Sequence, residues 1–402
     1  MRRFCLASAL SFLAFPAVSD DAPQRPDLLT FAQGVLPVAI QMPGTDMRTG
    51  MEHAIAAIDG NPVKFGATPK PGLATDGVAL VYAMPAPTRF DRFAVPGIRE
   101  TPSPSQTFFK TVELFGAPTI EGPWAYLGGG ELTPHDARGQ ITELGVQPDA
   151  PAVSFVALRL SGGVDLQREM TFFEFTEIIA NGTQADQALA TGFSGIWSGR
   201  GVKIELAQDG PTVAGCYDRG SKLSGTVEGP VLRALGQDQA GIQSQFILLL
   251  DDGGALRGLR SSNGAPFKPY DGEVSSNAPE CFAPEPPKLG CGAIIHGLGF
   301  DFDSDVLRPS SAPVLQALYS GLASEPAQRV QIIGHSSSEG AADYNRDLSQ
   351  RRAQSVVAAL VQMGLDPARL SAGGKGEDEP IASNGDEAGR SLNRRVEVSC
   401  AG

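Results

Sequence analysis

The chain has 402 residues, a formal net charge of −13, 42% hydrophobic residues and only 19% charged ones. So acidic a chain lacks the basic footprint of a nucleic-acid binder or a polybasic membrane-surface protein. Its 48 glycines and 31 prolines point to turn-rich β structure rather than long helices, and the length allows roughly two to four domains.

Residues 1–19 read as a signal peptide. Arg2 and Arg3 form the basic start, Phe4 to Phe15 is apolar but too short to span a bilayer, and Ala17-Val18-Ser19 offers small residues before Asp20. No other stretch approaches the ~18 consecutive apolar residues that a transmembrane helix needs. The expectation is an exported, periplasmic protein with no transmembrane segment. Export permits disulfides. Beyond Cys5, the cysteines Cys216, Cys281, Cys291 and Cys400 allow three pairings. Cys216 with Cys281 and Cys291 with Cys400 is the preferred set, because each bridge then stays within one predicted domain. No CxxC pair or Cys/His cluster suggests a metal, and no cofactor motif is present.

Residues 20–183 are expected to form an antiparallel β-sandwich. Short runs recur between Pro/Gly turns, at Val78–Pro85, Phe109–Gly116, Val153–Gly163 and Thr171–Gly182. In the third, Val156, Leu158 and Leu160 fall on one face, as a half-buried strand requires. The stretch Thr111–Leu132, with its single Trp124, resembles discoidin-type, galactose-binding-like sandwiches. That resemblance implies loops able to hold a glycan. Trp124 and Tyr126 are the residues that would stack on a sugar, set against a core-packing role for Trp124.

Residues 191–274 are expected to form a small β-meander or barrel. Gly195–Asp218 reads as two strands joined by Asp209-Gly210, a hairpin signal. Further Gly-punctuated runs follow, and the length leaves little room for a ligand cavity. Residues 275–290 are a Pro-rich, extended linker.

Residues 291–402 alternate strand and helix. Leu298, Phe300 and Phe302 are expected on one strand face, with Asp301 and Asp303 on the other. Pro313 to Ala323 fits a helix, and a longer one, capped near Asp343, stops at Gly364. Gly373–Gly389 reads as a polar loop. On the long helix Tyr344, Leu348, Arg352, Val356 and Leu360 stand four apart on one line. A guanidinium in that stripe must snorkel, pair with an internal acid, or wait for an anionic ligand.

Four phrases in this region, FDFDS from Phe300, GHSSSEG from Gly334, YNRDLSQRRAQSV from Tyr344 and GRSLNRRVEV from Gly389, resemble the OmpA-like peptidoglycan-binding domain over residues 291 to 400. The resemblance implies an α/β sandwich that grips the diaminopimelate side chain of a peptidoglycan stem peptide. The site residues it implies are Asp303, Ser337, Arg352, Arg394 and Arg395. The family's usual acid after GHT is replaced by Ser337 here. Two function classes follow. One is a non-catalytic wall-binding protein that presents its β modules to a glycan or an envelope protein, at the wall and near the outer membrane. The other is a wall hydrolase with catalysis in the β half. No GxSxG, HExxH or Walker phrase occurs, so the non-catalytic class is favoured.

Overall fold

The computed structural model describes residues 25–41, 51–61, 65–67, 78–96, 109–132, 140–163, 173–218, 220–277, 288–301, 303–325 and 329–401. Residues 1–19, Cys281 and Phe302 lie outside them, and with them the expected signal peptide and the expected Cys216–Cys281 pairing. Cys216 itself is disulfide-bonded. No helix among the described residues is long and apolar enough to cross a membrane.

The N-terminal third is built from β1 (Leu36–Gln41), α1 (Met51–Ala56), β2 (Phe65–Ala67), β3 (Val78–Pro96), β4 (Phe109–Ala117), β5 (Ala125–Glu131), β6 (Ile141–Val146), β7 (Val153–Gly163), β8 (Phe173–Phe175) and β9 (Ile179–Gln184). The long β3 serves two layers. Its first half lies between β1 and β7, its second half between β6 and β9, and the sheet order is β1-β3-β6-β5-β4-β7. Val156, Leu158 and Leu160 of β7 are almost fully buried, as their alternation requires. Thr171–Gly182 is not one strand but two, β8 and β9, broken at residues 176–178. There Thr176 bonds the Pro96 carbonyl and Ile178 N–H bonds Ala57 O. Trp124 is half-buried and absent from the core cluster, whereas Tyr126 is exposed and meets Phe115 edge-on. The core-packing role for Trp124 is therefore not realised.

The middle of the chain is a meander of β10 (Gly195–Gly199), β11 (Val202–Asp209), β12 (Thr212–Tyr217), β13 (Ser221–Glu228), β14 (Val231–Gln237), β15 (Gln243–Leu250), β16 (Leu256–Ser262), β17 (Lys268–Pro269) and β18 (Glu273–Val274). Residues 268–274 pair at one end with β16 and at the other with β10, so the sheet closes on itself. Phe193, Trp197, Tyr217, Phe246 and Tyr270 fill the interior, buried with a shell of aliphatics. Asp209 pairs with Thr212 across Gly210-Pro211, and Gly210 takes φ +52°, the left-handed conformation that glycine adopts without cost.

The C-terminal part comprises β19 (Ile294–His296), α2 (Ala312–Ala323), β20 (Arg329–His335), α3 (Ala342–Gln362), β21 (Leu370–Gly376), α4 (Glu387–Asn393) and β22 (Arg395–Ala401). The sheet order is β19-β22-β20-β21, with β20 and β21 parallel and the other pairs antiparallel. Cys291 and Cys400 form a disulfide across 109 residues of chain. In the chain-entropy model such a loop contributes about 4.7 kcal/mol.

Two expectations change here. The described residues of FDFDS form no strand. β19 ends at His296, Phe300 makes one bridge to Leu307, and Asp303 takes φ +53°. A left-handed residue cannot continue a strand, and Asp is among the few side chains that tolerate it. Gly373–Gly389 is not a plain loop either, for it contains the end of β21 and the start of α4. The glycines that lower strand propensity are there because α3 lies directly on β21. A Cβ at Gly374 would meet Gln350 N at 2.5 Å and Arg346 O at 2.7 Å.

The three parts share contacts. Val231, Ile247, Leu249 and Leu259 on the barrel exterior, and Ala388 of α4, belong to the same apolar cluster as the N-terminal core. Arg233, buried, links all three. Its Nη2 donates to Ala32 O at 2.6 Å, its Nη1 meets Glu228 at 3.3 Å, and its Nε reaches Ser391 Oγ at 3.4 Å. Breaking a buried ion pair of this kind by removing one partner costs about 3–5 kcal/mol.

Candidate functional site

α3 positions Arg352. Along its stripe Leu348, Val356 and Leu360 are buried, and Arg352 is partly so. The guanidinium leaves the stripe by lying over Phe300, 4.9 Å from the ring centre, while its Nε donates to Ser304 O at 3.0 Å. No carboxylate among the described residues lies within 4 Å of it. Burial pulls its pKa down to about 10, with Arg394 adding to that and Asp303 opposing it. It stays charged at neutral pH. Of the three fates open to it from sequence, internal pairing is not realised. The guanidinium is stacked and desolvated, and its other nitrogens make no bond to a described residue.

The end of β20 positions Ser337. It is buried, its Oγ donates to Glu339 Oε2 at 3.0 Å, and its carbonyl accepts from Asn345 Nδ2 at 3.3 Å. Arg394, the C-cap of α4 just before β22, reaches both Ser337 Oγ at 3.5 Å and Glu339 at 3.3 Å, and also pairs with Glu387 of α4. Arg390 closes the group, 2.9 Å from Glu387 and 3.6 Å from Glu339. Burial works against ionisation of Glu387, yet Arg394 and Arg390 outweigh it and hold its pKa below the ordinary value. Glu339 and Glu387 thus neutralise Arg390 and Arg394, while Arg352 has no carboxylate partner among the described residues.

Arg395 does not join this group. Arg395 turns inward to Glu397 at 2.7 Å and to the carbonyls of Glu379 at 3.0 Å and Asn393 at 3.4 Å. It flanks His335, whose ring nitrogens have no hydrogen-bond partner among the described residues. Burial, with Arg395 beside it, pulls that imidazole down to about 4, so it is neutral at pH 7.

Sequence reasoning missed Glu387, Arg390 and Asn393. Asn393 accepts from Ile381 and Ala382 N–H, both at 2.9 Å, and donates to Ala382 O and Asn384 Oδ1, also at 2.9 Å, which shapes the loop beside Ser338. The signal lay in the GRSLNRR phrase, read only for its last two arginines. The ring of Phe300 under Arg352 was likewise assigned to a strand face.

Residues 299–394 match the family model described as the OmpA family. Outer membrane porin F of Pseudomonas fluorescens is 47% identical over 100 residues, which are 25% of this chain and 31% of that protein. The peptidoglycan-associated lipoprotein of Pseudomonas aeruginosa is 36% identical over 99 residues, 25% of this chain and 58% of that one. The crystal structure of the peptidoglycan-associated lipoprotein from Burkholderia pseudomallei is similar at 31% identity over 27% of this chain and 89% of that one, with a TM-score of 0.25. The chain spans less than two thirds of the length of these curated relatives. Phrase order, sheet and family match coincide on one stretch, and residues 299–394 are an OmpA-family domain.

Proposed function

We propose that the C-terminal domain holds peptidoglycan without chemistry, by the diaminopimelate end of a stem peptide, and that the β modules face a glycan or envelope-protein partner. The observation that carries this reading is Arg352: charged, lying on Phe300, and with no carboxylate within 4 Å among the described residues. A diaminopimelate side chain ends in a carboxylate and an ammonium. The planar guanidinium takes the carboxylate in a two-point grip. Asp303, Ser337 and Glu339 offer acceptors to the ammonium, with Arg394 holding Glu339 in place. Arg395, the fifth residue of the sequence-derived set, supports the sheet from its other face. The relatives' names, two of them peptidoglycan-associated and one an outer membrane porin, support a place at the wall in the periplasm, near the outer membrane.

The test is co-sedimentation of the full chain with purified sacculi in the presence of free competitors. Diaminopimelate should displace the protein and lysine should not, because lysine has the ammonium without the second carboxylate. Equal displacement by both, or by neither, would end the reading.

A further inference from the structure

We propose that α4 is a proton-controlled latch, which docks the OmpA-family domain onto the N-terminal sandwich while the carboxyls of Asp27, Asp59 and Glu177 are protonated and lets go as they ionise. The docking is visible in the contacts. Ala388 is 1% exposed and packs in the cluster of Leu28, Ile55 and Ile58. Glu387 N–H donates to Gly60 O at 3.3 Å. Gly60 has φ +76°, and a Cβ there would stand 2.1 Å from the Glu387 Cβ, so only glycine lets the two segments meet. From the barrel, Arg233 reaches Ser391 and Gln245 donates to Ile381 O.

The groups that face one another across this contact are six acids and three arginines. The sandwich supplies Asp27, whose Oδ1 accepts from Leu29 and Ala180 N–H, and Asp59, which accepts from Asn61 N–H. It also supplies Glu177, 5% exposed, with no partner for Oε2 among the described residues. The α4 side supplies Asp386, Glu387 and Arg390, with Arg394 following. The barrel adds Glu228 and Arg233. The carboxyls do not gather into a metal site among the described residues. Arg390 and Arg394 pair with Glu387 and Glu339, and Arg390 offsets the charge of Asp27 and Glu177 only in part; among the described residues no cation pairs directly with the buried Glu177 or the half-buried Asp27 and Asp59.

Burial is the first cause that pushes Asp27 and Asp59 up to about 7 and Glu177 up to about 9. Glu387 adds to the push on Asp27, Asp386 to that on Asp59, and Asp27 to that on Glu177. The sign follows. Between the ordinary carboxylate value of about 4 and these raised values, the docked form binds more protons than the undocked form, so docking weakens with rising pH. The loss starts above about pH 4, grows through 7 and is complete above about 9. Glu387 has the opposite sign, and its contribution is lost only as pH falls through its depressed value. Glu387 also holds Arg394 beside Ser337 and Glu339. On the proposed reading of that site, the latch therefore couples ligand grip to pH.

Hydrogen exchange on the full chain tests the latch without any ligand. After correction for intrinsic exchange, protection of Glu387–Asn393 should fall at least tenfold between pH 6 and pH 9, while that of Ala342–Gln362 stays. The D27N/D59N/E177Q variant should keep α4 protected at both. Gly60→Ala should expose α4 at both, with α3 still protected. Equal α4 protection at the two pH values in the parent, parallel loss in α3, or a protected α4 in Gly60→Ala would each overturn the proposal. Sacculus binding enters none of these readings, so the latch and the wall-binding reading fail separately.

Discussion

Arg260 in the barrel and Arg352 in the C-terminal domain both lie over aromatic rings. The Arg260 guanidinium is 4.8, 5.4 and 5.6 Å from the ring centres of Tyr217, Phe246 and Tyr270, and that of Arg352 is 4.9 Å from Phe300. Their remaining donors differ. Arg260 pairs with Asp218 and bonds Ser262 Oγ at 3.1 Å and Ser244 Oγ at 3.3 Å. Arg352 bonds one carbonyl among the described residues. Ring stacking is common to both, so it does not mark a site. On the proposed reading the difference is the donor fork, unfilled among the described residues, because a desolvated cation without an acid is costly unless something arrives to meet it.

The sharpest way to break this comparison is Arg352→Ala. Losing a charge-assisted two-point contact of about 2.7 kcal/mol should weaken sacculus binding about 100-fold. Tm should fall less than for Arg260→Ala, since one ring contact and one hydrogen bond are lost and no ion pair is broken. Arg352→Lys should recover only part, because an ammonium cannot match the planar fork. A parent-like Arg352→Ala in co-sedimentation would mean that the open fork is idle.

Arg260→Ala should give the mirror result. It removes contacts with three rings and strands Asp218, a partly exposed partner, so a stability loss of about 1–2 kcal/mol is expected by urea titration. Sacculus binding should be unchanged. Loss of binding with unchanged stability would place the ligand in the barrel and reverse the assignment.

Sequence reasoning reached Arg352 because a helical period is strict. One guanidinium among four apolar or aromatic residues at four-residue spacing stands out without any structure. It reached the Cys291–Cys400 bridge because both cysteines flank the domain's first and last strands. It did not reach Glu387 or Gly60. Their meaning lies in a contact 327 residues apart in sequence (387 − 60), which no local pattern carries. Nor did it reach the turn at Asp303, because alternating Phe and Asp satisfies a strand pattern and the left-handed break is set by the neighbouring packing. Arg394 and Arg395 looked equivalent in sequence. In the structure Arg394 caps α4 and pairs with Glu339 and Glu387, whereas Arg395 opens β22 and turns to Glu397.

The smallest expected effect concerns the acid missing at Ser337. In sequence, Ser337→Asp looks like the restoration of a lost charge. In the structure, Glu339 Oε2 already stands 3.0 Å from Ser337 Oγ, held by Arg394 at 3.3 Å. A second carboxylate there would face the first, and two like charges so close do not both ionise freely. The gain from Ser337→Asp should therefore stay within about threefold, a fraction of a kcal/mol. Glu339→Gln should cost more, about tenfold, because on the proposed reading it removes the charge that meets the ammonium, and it leaves Arg394 with Glu387. The pair of titrations separates two accounts of the ammonium end. A large gain from Ser337→Asp with a neutral Glu339→Gln would show that the acid was missing. The reverse order shows that it has moved two residues along the chain.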